Sequence, residues 1–227
     1  MNSPERPKPL ARIQENVLAR NERRLLTAIC TRLPAWVTPD KLTLLGLFGG
    51  FLIGIGYLLS AHNPNWLWLS VFAFFLHWFG DSLDGSLARY RQIERPRFGY
   101  FIDHSVDVIG TFMIVGGLGL SPYVRFDVAL LALVGYYMMS IHAFLAARVI
   151  GELKLSYVAA GPTELRLMLI ALSIAMYATG WTDGDNGEFT PFDWLVGGAA
   201  VILMLLFLYQ TATTAARIKR EGEAPRD

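Results

Sequence analysis

Four aspartates interrupt stretches that are otherwise apolar: Asp81 and Asp84, three residues apart, and Asp103 and Asp107, four apart. At those spacings each pair falls on one face of a helix. An aspartate at the centre of a membrane helix costs about 2.5 to 3.5 kcal/mol, so acids kept in such surroundings call for a compensating charge. Oxygen-only ligands suit magnesium, manganese or calcium rather than zinc. The loop between the pairs carries Arg89, Arg91, Arg95 and Arg97, cations for an anionic substrate at the same end of the molecule. Carboxylates, a divalent ion and arginine beside lipid point to phosphoryl chemistry. The plainer alternative is that the acids pair with Arg89, Arg91 and Lys41, a role for which four carboxylates at helical spacing are excessive. Gly85, Ala88 and Gly99 accompany the charges, and their small side chains leave room for a bulky group against the backbone.

The elements that must hold these residues are membrane helices. Of 227 residues, 53% are hydrophobic and 17% charged, and mean hydropathy is +0.38; a soluble domain carries about a quarter charged residues. The net charge of +1 gives no pull toward nucleic acid, and a single cysteine, Cys30, excludes an intramolecular disulfide. No charged residue occurs between Lys41 and Asp81, a run broken only by the turn at residues 61–65. At about 20 apolar residues per membrane helix, six spans are predicted: 41–60, 66–89, 98–120, 125–149, 164–181 and 192–216. The expected organisation is an N-terminal segment over 1–40, an all-helical membrane domain over 41–217 and a short tail over 218–227.

With six spans, nineteen of the twenty lysines and arginines fall on the N-terminal side and Arg125 alone falls opposite. Basic residues near membrane ends stay in the cytoplasm, so both termini and the aspartates are expected there. The far side carries Asp183, Asp185, Glu188 and Asp193 instead. No apolar run precedes the first span within the first 40 residues, so no secretory signal is expected there. Residues 10–32 place Leu10, Ile13, Val17, Leu25 and Ile29 near helical spacing among arginines, as an interfacial amphipathic helix would; a tail helix packed on loops is the alternative. Gly46, Gly50 and Gly54 recur every four residues and are read as a helix-packing stripe.

The run Asp81-Ser82-Leu83-Asp84-Gly85-Ser86-Leu87-Ala88-Arg89, nine intervening residues, then Gly99-Tyr100-Phe101-Ile102-Asp103-His104-Ser105-Val106-Asp107 resembles the signature of the CDP-alcohol phosphotransferases. Every fixed position of that signature is present. Upstream, Pro39-Asp40-Lys41-Leu42-Thr43 resembles the family's Pro-Asn-x-x-Thr, with Asp40 in place of the asparagine. The resemblance implies transfer of a substituted phosphate from a CDP-linked donor, CDP-diacylglycerol above all, to an alcohol, with release of CMP. It implies two divalent cations, Mg2+ or Mn2+, on Asp81, Asp84, Asp103 and Asp107. It places Gly85, Ala88, Arg89, Gly99 and Asp40 around the CDP moiety, makes membrane lipids the surroundings, and brings a homodimer as a common family state. Asp107 is the candidate base for the acceptor hydroxyl. His104 is a second, because Asp103-His104-Ser105-Val106-Asp107 also looks like the Asp-His-x-x-Asp of choline and ethanolamine phosphotransferases. His77 and His142 are read as structural, a supporting contact behind the metal ligands being the alternative. Arg148, Lys154 and Arg166 are the cations available for a phosphorylated polyol acceptor, or else topology anchors. Diacylglycerol as acceptor would need no such anion pocket. An ion transporter and a membrane prenyltransferase are the remaining alternatives: the first would spread its acids through the membrane depth, and the second would space its aspartates differently.

Overall fold

The computed structural model describes residues 11–13, 19–154, 161–182 and 188–222. Helix α1 covers Ala19–Cys30, and six longer helices follow: α2 (Pro39–Leu59), α3 (Leu67–Tyr90), α4 (Pro96–Gly119), α5 (Phe126–Val149), α6 (Pro162–Thr179) and α7 (Pro191–Glu221). Strands β1 (Ala11–Ile13) and β2 (Glu152–Lys154) form a three-residue parallel pairing that ties the N-terminal segment to the chain after α5. The six long helices lie within a few residues of the predicted spans. Four of them open on proline, whose fixed φ and missing N–H suit the first helical turn.

Among the described residues four helices, α2, α4, α5 and α7, are long and apolar enough to cross a membrane. Helices α3 and α6 are 24 and 18 residues long and carry charges within them, Asp81, Asp84 and Arg89 on one and Glu164 and Arg166 on the other. The helices pack in the order α6, α3, α2, α4, α5, α7. Glycine sets the closest approaches. A methyl group on Gly49 would meet the His77 backbone nitrogen at 2.6 Å, and one on Gly54 the Met113 carbonyl oxygen at 2.5 Å. Gly46 lies against Gly80, and Gly50 faces Gly110 across α2 and α4. The predicted glycine stripe is therefore a packing seam, with α3 antiparallel and α4 parallel to α2.

A small apolar cluster around Ala143 and Ala147 and two larger ones are found among the described residues. One, around Ile53, Tyr57, Phe74, Leu118 and Met176, lies away from the aspartates and joins Tyr57 to Ser173 through a buried 2.7 Å hydrogen bond. The other joins Leu26 and Cys30 of α1 to Leu42, Leu83 and Leu87. Thus α1 docks on the bundle through Leu26 and Cys30, while Leu25 is half exposed. Burial pushes the Cys30 thiol up, against the opposing pull of Arg89 and Arg91, as befits a packing residue. The helix is shorter than the predicted 10–32; of that stretch, residues 14–18 and the side chains of Leu10, Ile13 and Val17 lie outside the described residues.

The turn from α3 into α4 is closed by the chain itself. Gln92 takes a left-handed conformation at φ 57°, the Gln92 N–H reaches the Arg89 carbonyl at 3.1 Å, and the Ile93 N–H reaches that of Ala88 at 3.0 Å. This pair of bonds is the Schellman arrangement, with glutamine where glycine is usual. It returns the chain over five residues and sets the aspartates of α3 and α4 side by side.

Candidate functional site

Asp81 and Asp84 sit on the last three turns of α3 and Asp103 and Asp107 within the first four turns of α4, so the tight turn places both pairs at one end of the bundle. Carboxylate oxygens of Asp81, Asp103 and Asp107 lie within 4.8 Å of one another. Asp84 lines the same cleft, together with Thr43, Gly46, His77, Asp81 and Asp103. Its carboxylate is turned to α2, accepting a 2.7 Å hydrogen bond from the Thr43 hydroxyl and another from the Gly85 N–H. Three of the four predicted acids thus form one cluster, and the fourth stands on its wall. Clustered carboxylates with oxygen donors only fit a hard divalent cation, which would neutralise charge that otherwise repels at short range.

Arg166 reaches from α6 to Asp81 and forms an ion pair with its Oδ2; the arginine side chain is only 12% exposed. Predicted as a cation for the acceptor, it also belongs to the acid cluster. Arg148 is exposed in the last turn of α5. The Lys154 side chain lies outside the described residues.

The two candidate bases differ in surroundings. The His104 ring is packed edge-on against Tyr100, with centroids 4.3 Å apart, and lies 4.8 Å from that of Phe144. Its Nδ1 is 3.8 Å from Asp107 Oδ2, and its Nε2 is buried without a hydrogen-bond partner among the described residues. The Asp107 side chain is 42% exposed against 13% for His104. The aspartate is the more exposed of the two.

Gly85 is bordered by the Arg89 guanidinium alone, at 3.4 Å from where a β-carbon would stand, and a β-carbon at Gly99 would have nothing within 4 Å. Gly99 thus faces open space and Gly85 a flexible side chain, whereas Gly46, Gly49 and Gly54 face backbone. Ala88 is half-buried beside them. Arg89 is exposed, with Nη2 3.3 Å from the Ser86 hydroxyl. Asp40 pairs with Arg95, both well exposed, and Arg95 also lies over the Phe98 ring. Arg91 serves the fold: its guanidinium donates to the carbonyls of Leu33, Pro34 and Val37, pinning the α1–α2 connection. His77 bonds the Gly46 carbonyl at 2.9 Å and His142 bonds Thr211 at 3.2 Å, both between helices.

Two residues of this end escape sequence reasoning. Thr43 stands in the upstream motif, yet nothing in its spacing reveals that it would hold Asp84. Glu22 is one acid among the arginines of α1; it accepts from Trp78 Nε1 at 2.8 Å and from the Thr163 hydroxyl at 2.8 Å, joining α1 to α3 and α6. Only its charge in an otherwise basic helix could have drawn notice.

Residues 36–215 match the family model for CDP-alcohol phosphatidyltransferase. The chain is 35% identical over 104 residues to the archaetidylinositol phosphate synthase of Pyrococcus horikoshii, covering 46% of this chain and 52% of that protein. It is 35% identical over 88 residues to the phosphatidylinositol phosphate synthase of Cutibacterium acnes, covering 39% and 40%. It is 28% identical over 141 residues to the CDP-diacylglycerol–glycerol-3-phosphate 3-phosphatidyltransferase of Cereibacter sphaeroides, covering 60% and 62%. The matched stretches span about half the length of these relatives.

Proposed function

Because the chain belongs to the CDP-alcohol phosphatidyltransferase family, we propose that it transfers the phosphatidyl group of CDP-diacylglycerol to a phosphorylated polyol and releases CMP. The observation that carries this reading is the cluster of Asp81, Asp103 and Asp107 oxygens within 4.8 Å, on helices that also carry Gly85 beside the Arg89 guanidinium and Gly99 facing open space. Asp81, Asp84, Asp103 and Asp107 would hold two divalent cations, Mg2+ or Mn2+. When bound, these would offset the charge of the donor's diphosphate and of the departing CMP.

The chain's own residues do the rest. Gly85, Ala88 and Gly99 leave space for the cytidine, and Arg89 is at hand for the diphosphate. Asp40, already paired with Arg95, borders that side. Asp107 takes the proton of the acceptor hydroxyl while the hydroxyl oxygen attacks the phosphatidyl phosphorus and the bond from that phosphorus to the CMP oxygen breaks. His104, held by Tyr100 and Phe144, keeps a fixed neighbour beside Asp107. The phosphate of the polyol is drawn by Arg166, Arg148 and Lys154, a cation set that a plain diacylglycerol acceptor would not use. The C. acnes and C. sphaeroides relatives, a phosphatidylinositol phosphate synthase and a CDP-diacylglycerol–glycerol-3-phosphate 3-phosphatidyltransferase, favour that acceptor class.

The chain is a multi-pass membrane protein. We read all six long helices as spans with both termini and the aspartates cytoplasmic. The antiparallel packing of α3 along α2 supports this, since a 24-residue helix is about 36 Å long and matches its membrane-capable neighbour. The one-sided distribution of lysine and arginine supports the orientation.

The test is a screen of the purified chain with Mg2+ or Mn2+, CDP-diacylglycerol and either glycerol 3-phosphate, inositol phosphate or free inositol. CMP released only with a phosphorylated polyol is the expected result. CMP release from CDP-choline with diacylglycerol, and none from CDP-diacylglycerol, would replace the proposal.

A further inference from the structure

Arg166 and a divalent cation would stand on the same carboxylate. The guanidinium pairs with Asp81 Oδ2 in a nearly enclosed position, and Asp81 is one of the three acids whose oxygens gather within 4.8 Å. A cation seated among those oxygens therefore lies a few ångströms from a fixed positive charge, at a distance where like charges repel strongly in a partly dry site. Arginine cannot relieve this by losing its proton.

Nor is the arginine carried by a loose element. Thr163, one turn before Arg166, is bound to Glu22 at 2.8 and 2.9 Å, and Glu22 is in turn bound to Trp78 of α3. Further along α6, Ser173 is bound to Tyr57 of α2. The helix that bears Arg166 is thus pinned to α1, α2 and α3, so the guanidinium is presented to Asp81 by the fold.

Resting on the metal site proposed above, we propose that Arg166 is a built-in competitor of the divalent cation. It offsets the charge of the acid cluster and yields Asp81 when the cation enters, so it sets the cation concentration at which the site loads.

The experiment uses the full chain in detergent and Mn2+ alone, with free Mn2+ followed by electron paramagnetic resonance. Removal of one adjacent positive charge in R166Q should tighten Mn2+ binding about tenfold. R166K, which keeps the charge, should stay nearer the wild type. Equal or weaker binding by R166Q, or tightening by R166K as large as that by R166Q, would overturn the proposal and leave Arg166 as a group that orients Asp81. A second measurement needs no variant: Mn2+ should speed modification of Arg166 by phenylglyoxal in the wild-type chain several-fold, read by peptide mass. A rate unchanged or slowed by Mn2+ overturns the proposal as well. Absence of Mn2+ binding in the wild type at millimolar concentration would instead remove the metal site itself, which tells the two failures apart.

Discussion

Asp193 and Asp81 are both acids held inside a helical bundle, at opposite ends, and they are satisfied in opposite ways. Asp193 is 2% exposed and accepts from the backbone N–H groups of Arg125 and Thr190, each at 2.7 Å. It caps α7 and fastens the start of α5 to it, and the backbone donors disperse its charge. Asp81 faces two other acids and an arginine delivered by a helix remote in sequence. An acid served by neighbouring N–H groups completes a fold. Acids that face each other across two helices leave charge for something mobile to neutralise.

The contrast is broken most directly by exchanging the two roles. Asp103→Asn should keep the bundle folded and lower CMP release by about a thousandfold, the scale of losing a group that acts only in the transition state. Asp193→Asn should instead retain turnover at low temperature and lose about 1 to 3 kcal/mol of stability in detergent unfolding, the cost of weakening a buried bonded group. Turnover lost in a folded Asp193→Asn protein, together with turnover kept in Asp103→Asn, would erase the distinction.

Within the acid end, exposure separates two neighbours. Asp107→Asn should lower turnover by about a hundredfold or more at saturating metal, as loss of a general base does. His104→Ala should lower turnover less and act mainly on stability, through lost packing against Tyr100 and Phe144. The reverse ranking in turnover assays would make the histidine the base.

The smallest effects compare two glycines. Gly54→Ala should destabilise the α2–α4 contact by about 1 to 3 kcal/mol, because its methyl meets a backbone carbonyl. Gly99→Ala has open space around it and should leave the unfolding midpoint unchanged or slightly raised, while weakening the KM for the CDP-linked donor. An unchanged KM in that variant would remove Gly99 from the substrate's path.

Much of the fold could be read from local rules. The apolar runs and the turn at residues 61–65 predicted six long helices to within a few residues, because hydropathy is a property of each segment by itself. Residues 10–32 were harder: their apolar spacing suits a lipid surface, yet Leu26 and Cys30 found partners on α3 and α2. Periodicity reports that a face is apolar and not what covers it. The site divides in the same way. Spacings of three and four residues put each aspartate pair on one helix face, while only packing turned Asp84 to Thr43 and drew Asp81, Asp103 and Asp107 together.

What the chain's residues determined alone is therefore the set of helices, the end of the bundle where the acids gather and the chemistry that oxygen ligands beside arginines allow. What tertiary structure decided is which groups meet: Arg166 at Asp81 across 85 residues, Thr163 at Glu22 across 141 and Arg91 under the α1–α2 connection. The reason is physical. A helix face follows from spacing along one segment, but contact between segments follows from how helices order around the glycine seams, and that order, α6 on α3 and α3 on α2, is a property of all the surfaces at once.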